Sequence, residues 1–414
     1  MNKKLEKIVK AAYENTVFYR SIYKTILENN KTEELDFESL PIITKEDIYD
    51  NQLRILSQKV HKDYVNSLLI KHTTSGSTGV CMDIYWSEKN NNNSLLSLWY
   101  LRKKYYNINT DDLVCMFYAN RTIKNYEPKQ MKIGNCLSFS KSNLDKKRIF
   151  EIYLKICEFK PAYMIIEPSI AILLCDYIDN HHLEKIKSIK YIELTGEFLL
   201  PNVRKRIERT FDCITANQYG AYEVNSIAYE CPEGNMHIMN NNVFVEIIDK
   251  NNNVVRDGKE GEVCVTSLTN YTMPFIRYKI GDYGKICVDK KCKCGNNAPI
   301  LEIVNGRSND YILCKNGERI HSSVFTKVIE KINIKLGNII VQYQIHQLDY
   351  YDFLFKLVLL EDIEIQDLIE AFVESFDEKR LFEINVSFEF YDEIFPDDNT
   401  GKLYYFINDM KKEN

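Results

Sequence analysis

The sequence predicts an α/β protein. It would have a large N-terminal domain with mostly parallel sheets and a small antiparallel β subdomain, plus a small mobile α+β C-terminal domain. Three patterns predict this fold: apolar runs alternating with helical stretches, a later series of short strands with polar turns, and a C-terminal alternation of strands and helices. The length of 414 residues leaves room for two or three domains.

The N-terminal half is predicted to contain helices followed by βαβ units. Apolar spacing favours one or two helices over residues 1–30, and Thr44 with Asp47 is typical of a capped helix start. The asparagine-rich run 89–93 predicts a helix approach or a solvated loop. From 94 to 240, apolar runs typical of parallel strands alternate with helical stretches. The predicted strands are Leu113–Tyr118, Tyr163–Ile166, Tyr191–Leu194 and Cys213–Ala216, and the predicted helices are Asp145–Phe159, Ser169–Ile178 and Asn202–Thr210.

The C-terminal half predicts two further regions. The large domain is expected to span 1–306, with the antiparallel subdomain at about 236–304, a hinge at 307–312 and a small lid domain at 313–414. Predicted subdomain strands are Val243–Ile248, Glu262–Ser267 and Lys285–Val288. In the small domain we expect strands Asn338–Gln347, Phe353–Leu360 and Asn385–Phe390, with helices His321–Ile334 and Glu364–Phe376.

Composition excludes several classes of protein. The 45% hydrophobic and 27% charged fractions are typical of a soluble globular protein, and a net charge of -5 offers no basic field for nucleic acid. Neither a signal peptide nor a membrane-spanning apolar run is predicted. The 12 cysteines, without secretion signals, favour reduced thiols or a metal site over disulfides. We therefore expect a cytoplasmic protein, either a monomer or a homodimer.

A glycine-rich loop lies between two short predicted strands. It consists of Thr74, Ser75, Gly76, Ser77, Thr78 and Gly79. Glycines allow close backbone approach and hydroxyls add donors, so the loop can surround phosphate oxygens. An ordinary surface turn is the alternative interpretation. The loop is not a Walker motif, because Val80 follows Gly79.

Four further motifs follow the loop in order. Gln218–Glu223 is predicted to follow a strand, and Arg277–Asp282 to end one with an exposed carboxylate. Asn305–Asp310 falls at the predicted domain boundary, and Thr400–Lys402 lies in a turn near the C-terminus. Together these segments strengthen the interpretation of the loop as a phosphate-binding site.

This set of motifs resembles the adenylate-forming (acyl-activating) superfamily, within its phenylacetate–coenzyme A ligase-like and CapK-like branch. The resemblance covers roughly residues 8 to 408 and includes Thr195-Gly196-Glu197. It implies that ATP activates a carboxylic acid as an acyl-adenylate and that the acyl group is then transferred to an acceptor. The expected acceptor is coenzyme A.

The resemblance also implies residue roles. Residues 74–79 would hold the β- and γ-phosphates, Tyr219 would stack on adenine and Asp282 would accept from the ribose hydroxyls. Lys402 would reach the reacting carboxylate and α-phosphate, and Glu223 would hold Mg²⁺. The remaining implied ATP or AMP contacts are Gly196, Glu197, Gly220, Tyr222 and Arg307.

The acid pocket is predicted to involve Tyr118, Ala216 and Tyr222, a set that favours a flat, aromatic acid. The chain departs from the family pattern in three ways. Relatives often carry a lysine within or just after the phosphate loop, where this chain has Val80-Cys81-Met82. Tyr222 replaces the usual Thr or Ser, and Asn309 replaces the common acidic residue at the hinge. Two alternatives remain: adenylation-driven condensation or ring closure without free thioester, and a non-catalytic nucleotide or acid sensor.

Two pairs of potential metal ligands complete the predictions. Cys231 and His237 form one half-site, and Cys292 and Cys294 form the other. Three thiolates and an imidazole suit tetrahedral Zn²⁺ with a structural role. The alternative is that these groups are reduced and bind no metal. The expected cofactors are therefore ATP, Mg²⁺ and structural Zn²⁺, with coenzyme A as co-substrate.

Overall fold

The computed structural model describes residues 3–29, 36–74, 82–118, 130–141, 144–256, 258–288, 291–307, 311–337, 339–376, 384–397 and 403–410. The chain groups into two compact units, each of them discontinuous in sequence. The first unit comprises Met1–Thr110 and Ala216–Ile303, and the second comprises Asp111–Thr215 and Val304–Asn414. The predicted hinge at 307–312 stays a prediction.

Helices occur in both units. In chain order, those of the described residues are α1 Lys3–Asn15, α2 Val17–Asn29, α3 Lys45–Asp50, α4 Gln52–Ile55, α5 His61–Val65, α6 Glu88–Tyr106, α7 Lys146–Phe159, α8 Pro168–Asn180, α9 Pro201–Phe211, α10 Ser323–Lys335 and α11 Ile365–Ser375. The predicted start of α3 is confirmed, because Thr44 and Asp47 form a reciprocal capping box. None of the helices in the described ranges is long and apolar enough to cross a membrane.

Strands occur in both units, and those of the first unit carry much of the candidate site. In chain order the strands of the described residues are β1 Ile70–Thr73, β2 Asp83–Trp86, β3 Val114–Tyr118, β4 Gln130–Ile133, β5 Cys136–Ser140, β6 Tyr163–Ile166, β7 Tyr191–Thr195, β8 Ile214–Ala221, β9 Asn225–Glu230, β10 Met236–Ile238, β11 Val243–Ile248, β12 Val254–Val255, β13 Gly261–Ser267, β14 Tyr278–Cys287, β15 Ile300–Arg307, β16 Tyr311–Leu313, β17 Arg319–His321, β18 Ile340–Gln347, β19 Asp352–Leu359, β20 Asn385–Phe390 and β21 Phe406–Asn408. Those of the first unit follow the spatial order β12-β11-β13-β14-β15-β10-β9-β8, and β1 pairs separately with β2.

The antiparallel subdomain is confirmed in the first unit. Strand β11 pairs antiparallel with β13, and β13 pairs antiparallel with β14. Their inward side chains form a core with α1, α2 and the β1–β2 hairpin that includes Trp86, Val245, Val263 and Phe275. This core fixes the strands that carry candidate site residues of the first unit.

The second unit contains the parallel sheet and the C-terminal residues. Strands β7, β6, β3 and β5 are parallel neighbours, and β4 adds an antiparallel edge. The C-terminal sheet has the order β20-β19-β18-β21, and β16 pairs with β17. One hydrophobic core joins α8 and α9 to α10 and the C-terminal strands. The predicted α/β fold class is confirmed.

Several local predictions were wrong. Residues 218–221 lie within β8 rather than after a strand, and Asp282 lies inside β14 rather than at a strand end. The predicted strand 285–288 is not a separate strand, because residues 285–287 are the end of β14, which begins at Tyr278. The asparagine run 89–93 lies within α6. In the strands, glycines and polar side chains interrupt the apolar alternation, so the pattern did not mark the true strand limits.

Candidate active site

The stem of the glycine-rich loop is fixed by backbone pairing. The Thr74 N–H donates to the Met82 carbonyl at 2.8 Å, and the Met82 N–H donates to Thr74 Oγ1 at 3.0 Å. Thr74 is buried, as expected for a side chain that closes a loop. Ser75, Gly76, Ser77, Thr78 and Gly79 lie outside the described residues. The hairpin β1–β2 therefore provides a rigid base for the predicted phosphate loop.

Tyr219 and Asp282 are brought together across the first unit. The Tyr219 hydroxyl donates to Asp282 Oδ2 at 2.6 Å. A carboxylate has two acceptor oxygens, so this contact orients Asp282 and leaves acceptor capacity at its other oxygen. The same bond restrains the Tyr219 ring. The residues predicted to bind ribose and adenine thus form one hydrogen-bonded pair.

Glu223 has a buried phenol as its partner. Tyr278 donates through its hydroxyl to Glu223 Oε1 at 3.1 Å, and the Glu223 side chain is itself buried. Burial, followed by the nearby Glu223 charge, raises the pKa of Tyr278 well above its usual value. Tyr278 therefore stays protonated at neutral pH and acts as a permanent donor that orients the Glu223 carboxylate.

Tyr278 is held in place by a buried ion pair. Its neighbour Arg277 has a positive φ of 49° and pairs with Glu246 at 3.2 Å. The Arg277 guanidinium also donates to the carbonyls of Glu38 and Leu40. Such a network fixes the start of β14, because a buried charge is stable only when it is fully paired. The motif pattern singled out Arg277–Asp282 but did not reveal this supporting role.

Tyr222 stacks on a histidine that no sequence motif indicated. The rings of Tyr222 and His72 lie 4.9 Å apart at 8°. The indole of Trp86 donates to the Tyr222 carbonyl at 2.9 Å, so the backbone of this residue is held as well. The Tyr222 side chain is 44% exposed. The ring thus packs on His72 and is partly exposed, and its place in an acid pocket stays a prediction.

Gly220 lies where no side chain fits. A Cβ atom there would approach the Asn225 carbonyl oxygen to 2.5 Å and Gln218 Nε2 to 2.7 Å. The pairing of β8 with β9 shifts register between Tyr219 and Gly220. The irregularity directly follows Tyr219 and lies three residues before Glu223.

Four potential metal ligands converge in the first unit. The ligand atoms of Cys231, His237, Cys292 and Cys294 all lie within 4.8 Å of one another. His237 lies on β10, whereas Cys292 and Cys294 lie on a tight turn in which the Gly295 N–H donates to the Cys292 carbonyl. Gly295 adopts a φ of 78°, which favours glycine. The two predicted half-sites therefore form one cluster.

Two separations within the cluster are close to those expected for tetrahedral zinc ligands. Cys231 Sγ lies 3.6 Å from Cys292 Sγ, close to the separation of roughly 3.8 Å that Zn–S bonds of about 2.3 Å give in a tetrahedron. His237 Nδ1 lies 2.8 Å from the Ala298 carbonyl, which assigns the proton to Nδ1. Nε2 therefore directs its lone pair towards Cys294 Sγ at 3.3 Å. These donors fit Zn²⁺.

The electrostatics of Cys292 also suit a metal ligand. Burial raises the pKa of this thiol, but hydrogen bonding, led by the Cys294 backbone N–H, outweighs burial and lowers it to about 6. The Asn235 amide donates to the same sulfur at 3.3 Å. Thiolate is the form that binds metal, and the surroundings favour it at Cys292, whereas burial raises the pKa of Cys231 to about 12.

In the second unit, Glu197 is held by two other segments. The Ser169 N–H donates to Glu197 Oε2 at 2.9 Å, and Ser169 Oγ donates to Oε1 at 2.7 Å. The Leu403 N–H donates to Oε1 at 3.3 Å. Gly196 precedes Glu197 with a φ of 83°. No sequence pattern indicated these partners, which lie 28 and 206 residues away along the chain.

The remaining predicted residues lie in both units. Tyr118 ends β3 and is partly buried, whereas Ala216 lies in β8 and is fully buried. Arg307 is the last residue of β15. Lys402 lies outside the described residues. The ligand-binding roles of this set stay predictions.

Comparisons with known proteins place the fold and the motifs in context. The chain is 24% identical to protein CapK of Staphylococcus aureus over 420 residues, covering 99% of this chain and 89% of that protein. It is 24% identical to phenylacetate-coenzyme A ligase of Thermus thermophilus over 196 residues, which are 46% of this chain and 43% of that enzyme. The matched region therefore spans less than half of that ligase.

A solved structure shares the fold of the whole chain. A 2-hydroxyisobutyryl-CoA ligase in the postadenylation state, in complex with 2-HIB-AMP, has a TM-score of 0.72 at 20% identity, covering 99% of this chain and 88% of that chain. A scan against models of protein families gave no match. The predicted resemblance is confirmed by the named relatives and the shared fold.

Proposed function

Because this chain is similar over nearly its whole length to the phenylacetate–coenzyme A ligase-like and CapK-like branch of the adenylate-forming superfamily, we propose that it is an AMP-forming ligase. In the first step, an oxygen of the acid attacks the α-phosphorus of ATP, the bond to the β-phosphate breaks and pyrophosphate leaves. In the second step, the thiol of coenzyme A attacks the acyl carbon and AMP leaves. The acid is activated because AMP is a far better leaving group than hydroxide.

One observation carries this proposal. Two segments far apart in sequence, 219–223 and 278–282, are joined by two tyrosine–carboxylate hydrogen bonds, Tyr219 to Asp282 and Tyr278 to Glu223. Each bond fixes a carboxylate that the resemblance assigns to the nucleotide or its metal. Preorganised groups of this kind stabilise developing charge without reorganising during the reaction. A purely structural pair of strands would not need both carboxylates in these positions.

The Glu223 carboxylate also suits the binding of a magnesium ion. Glu223 is buried with an oriented carboxylate, and Mg²⁺ in nucleotide sites is commonly held by one or two carboxylates plus phosphates. We assign Glu223 as the protein ligand. Bound Mg²⁺ would neutralise charge on the phosphates. Asp282 would hold ribose, Tyr219 would lie on adenine, and Lys402 would approach the α-phosphate.

We propose an aromatic or similarly flat acid as the substrate. The support is the partly exposed Tyr222 ring, already stacked on His72. Flat rings stack favourably on such surfaces. A panel of acids compared at equal concentration tests this choice, and a preference for small aliphatic acids would contradict it.

The acceptor is tested by product analysis. Purified protein incubated with ATP, Mg²⁺, acid and coenzyme A should release AMP and pyrophosphate and give the acyl-CoA mass. A second candidate is transfer to an amine or hydroxyl, because the match with phenylacetate-coenzyme A ligase covers only about half of this chain. Release of AMP only when an amine or hydroxyl replaces coenzyme A would identify that function. ATP binding without any AMP release would identify a sensor.

We propose further that Cys231, His237, Cys292 and Cys294 hold one structural Zn²⁺. Protein purified without chelator should contain about one zinc per chain by elemental analysis, as four protein ligands imply. Cys292→Ser should lose the metal and lower the melting temperature. Cys175→Ser, a change at a buried cysteine in the second unit, is the control and should retain zinc. Zinc well below one per chain in the unmodified protein would contradict the assignment.

A further inference from the structure

Two short segments of the second unit are hydrogen-bonded to each other. The Leu403 N–H donates to Glu197 Oε1 at 3.3 Å, and the Tyr405 hydroxyl donates to the Phe198 carbonyl at 3.2 Å. We call these two contacts the latch. Leu403 directly follows Lys402 in the sequence. The latch therefore attaches the chain beside the proposed catalytic lysine to the segment that follows β7.

Glu197 is fixed from its other side. Ser169 donates to the carboxylate through both its N–H and its hydroxyl, at 2.9 and 2.7 Å. Ser169 lies in the first turn of α8, whose unpaired N–H groups favour a negative charge. The carboxylate thus has a set position, from which Oε1 accepts Leu403. If the Glu197 side chain rotated freely, it would not accept the Leu403 N–H at one fixed position.

The environment of Glu197 is otherwise unfavourable for a charge. Burial, and then the charge of Glu167, raise the pKa of Glu197 to about 6, against the opposing hydrogen bonds from Ser169 and Leu403. Glu167 is itself paired with Lys141. The charged form of such a carboxylate must be stabilised by other interactions, and the three hydrogen bonds that it accepts stabilise it.

The other half of the latch is rigid as well. Leu403 is buried against Val341, Val358 and Ile394. The Tyr405 carbonyl accepts the Ile345 N–H at 2.9 Å, which ties this segment to β18. Burial raises the pKa of Tyr405 well above its usual value, so its hydroxyl is a permanent donor. Both sides of the latch are therefore preorganised.

We propose that Glu197 is a positioning residue for adenylation, which anchors the chain directly after Lys402 by accepting the Leu403 N–H. The inference rests on the proposed function for the role of Lys402. It differs from direct nucleotide binding by Glu197, because the effect passes through Leu403 and is shared with Tyr405. The transfer step, in which the acyl-adenylate already exists, does not require the latch.

The test compares variants of both halves. Glu197→Gln leaves one carbonyl oxygen for three donors, and Tyr405→Phe removes only the hydroxyl. Each variant should lower kcat for acid-dependent ATP–pyrophosphate exchange about tenfold and leave KM for ATP unchanged. The fold loss of kcat in the double variant should be smaller than the product of the two single fold losses. Transfer from supplied acyl-adenylate should stay within twofold of the parent protein. Tyr153→Phe is the control, because it also removes one phenol-to-carbonyl bond, to Glu184 at 2.9 Å.

A second readout does not depend on activity. Hydrogen exchange of the peptide covering 403–410 should accelerate in Glu197→Gln and Tyr405→Phe but not in Tyr153→Phe. Unchanged exchange of this peptide in both latch variants would overturn the inference, as would a raised KM for ATP in Glu197→Gln with Tyr405→Phe fully active. If the parent protein shows no adenylation with any acid, the proposed function fails, while the hydrogen-exchange result still decides whether the latch exists.

Discussion

Lys402→Ala is expected to lower the rate of acyl-adenylate formation by about 10²- to 10³-fold, the range found when one charge-stabilising donor is removed from an active site. The reason is that the proposed lysine meets negative charge as the acid attacks the α-phosphorus. Transfer of the acyl group from supplied acyl-adenylate should be nearly unchanged, since the phosphoryl step is then complete. The two half-reactions are measured separately, by pyrophosphate exchange and by acyl-CoA formation.

The control for this prediction is Lys315→Ala, which removes an exposed lysine from a turn of the second unit. It should leave both half-reactions unchanged. Equal loss of both steps in Lys402→Ala would contradict the separate role of Lys402, as would full activity in the exchange assay.

Glu223→Gln is expected to lower pyrophosphate exchange by about 10²-fold and to raise the Mg²⁺ concentration needed for half-maximal rate. Glutamine keeps the size of the side chain and an oxygen that can accept from the Tyr278 hydroxyl, but it loses the charge that a metal ion requires. The measurement is the exchange rate titrated with Mg²⁺ at saturating ATP and acid.

Two further variants separate charge from orientation at this position. Tyr278→Phe keeps the Glu223 charge and removes its donor at 3.1 Å, so its loss should be smaller, about tenfold. Glu260→Gln neutralises an exposed carboxylate of the first unit and should have no effect. A Mg²⁺ dependence of Glu223→Gln identical to that of the parent protein would exclude Glu223 as the metal ligand.

The sequence predicted the parts of the fold that local patterns encode. The βαβ rhythm from β3 to α9 and the capping box at Thr44 and Asp47 depend on residues close together in the chain, and both are confirmed. The cysteine and histidine pairs were also predictable, because few residue types bind zinc and each half-site is short. Their convergence into one cluster follows from the pairing of β10 with β9 and β15.

Other features depend on contacts that no local pattern contains. The asparagine run of α6 was not predicted as helix, because asparagine has a low helix propensity. Asn90 accepts hydrogen bonds from Tyr271 and Thr272, 181 and 182 residues away, so tertiary contacts anchor this run. The partners of Glu223 and Glu197 are also distant in sequence. Motifs thus identified the carboxylates, but only the fold identified what holds them.

The central claim is that this chain makes acyl-adenylates, and acid-dependent ATP–pyrophosphate exchange tests it most directly. The assay would use the full chain with zinc loaded, Mg²⁺ present and a panel of aromatic and aliphatic acids. We expect exchange that requires acid, is strongest with an aromatic acid and is lost in Glu223→Gln. A properly folded, zinc-loaded protein that gives no exchange with any acid of the panel would contradict the claim.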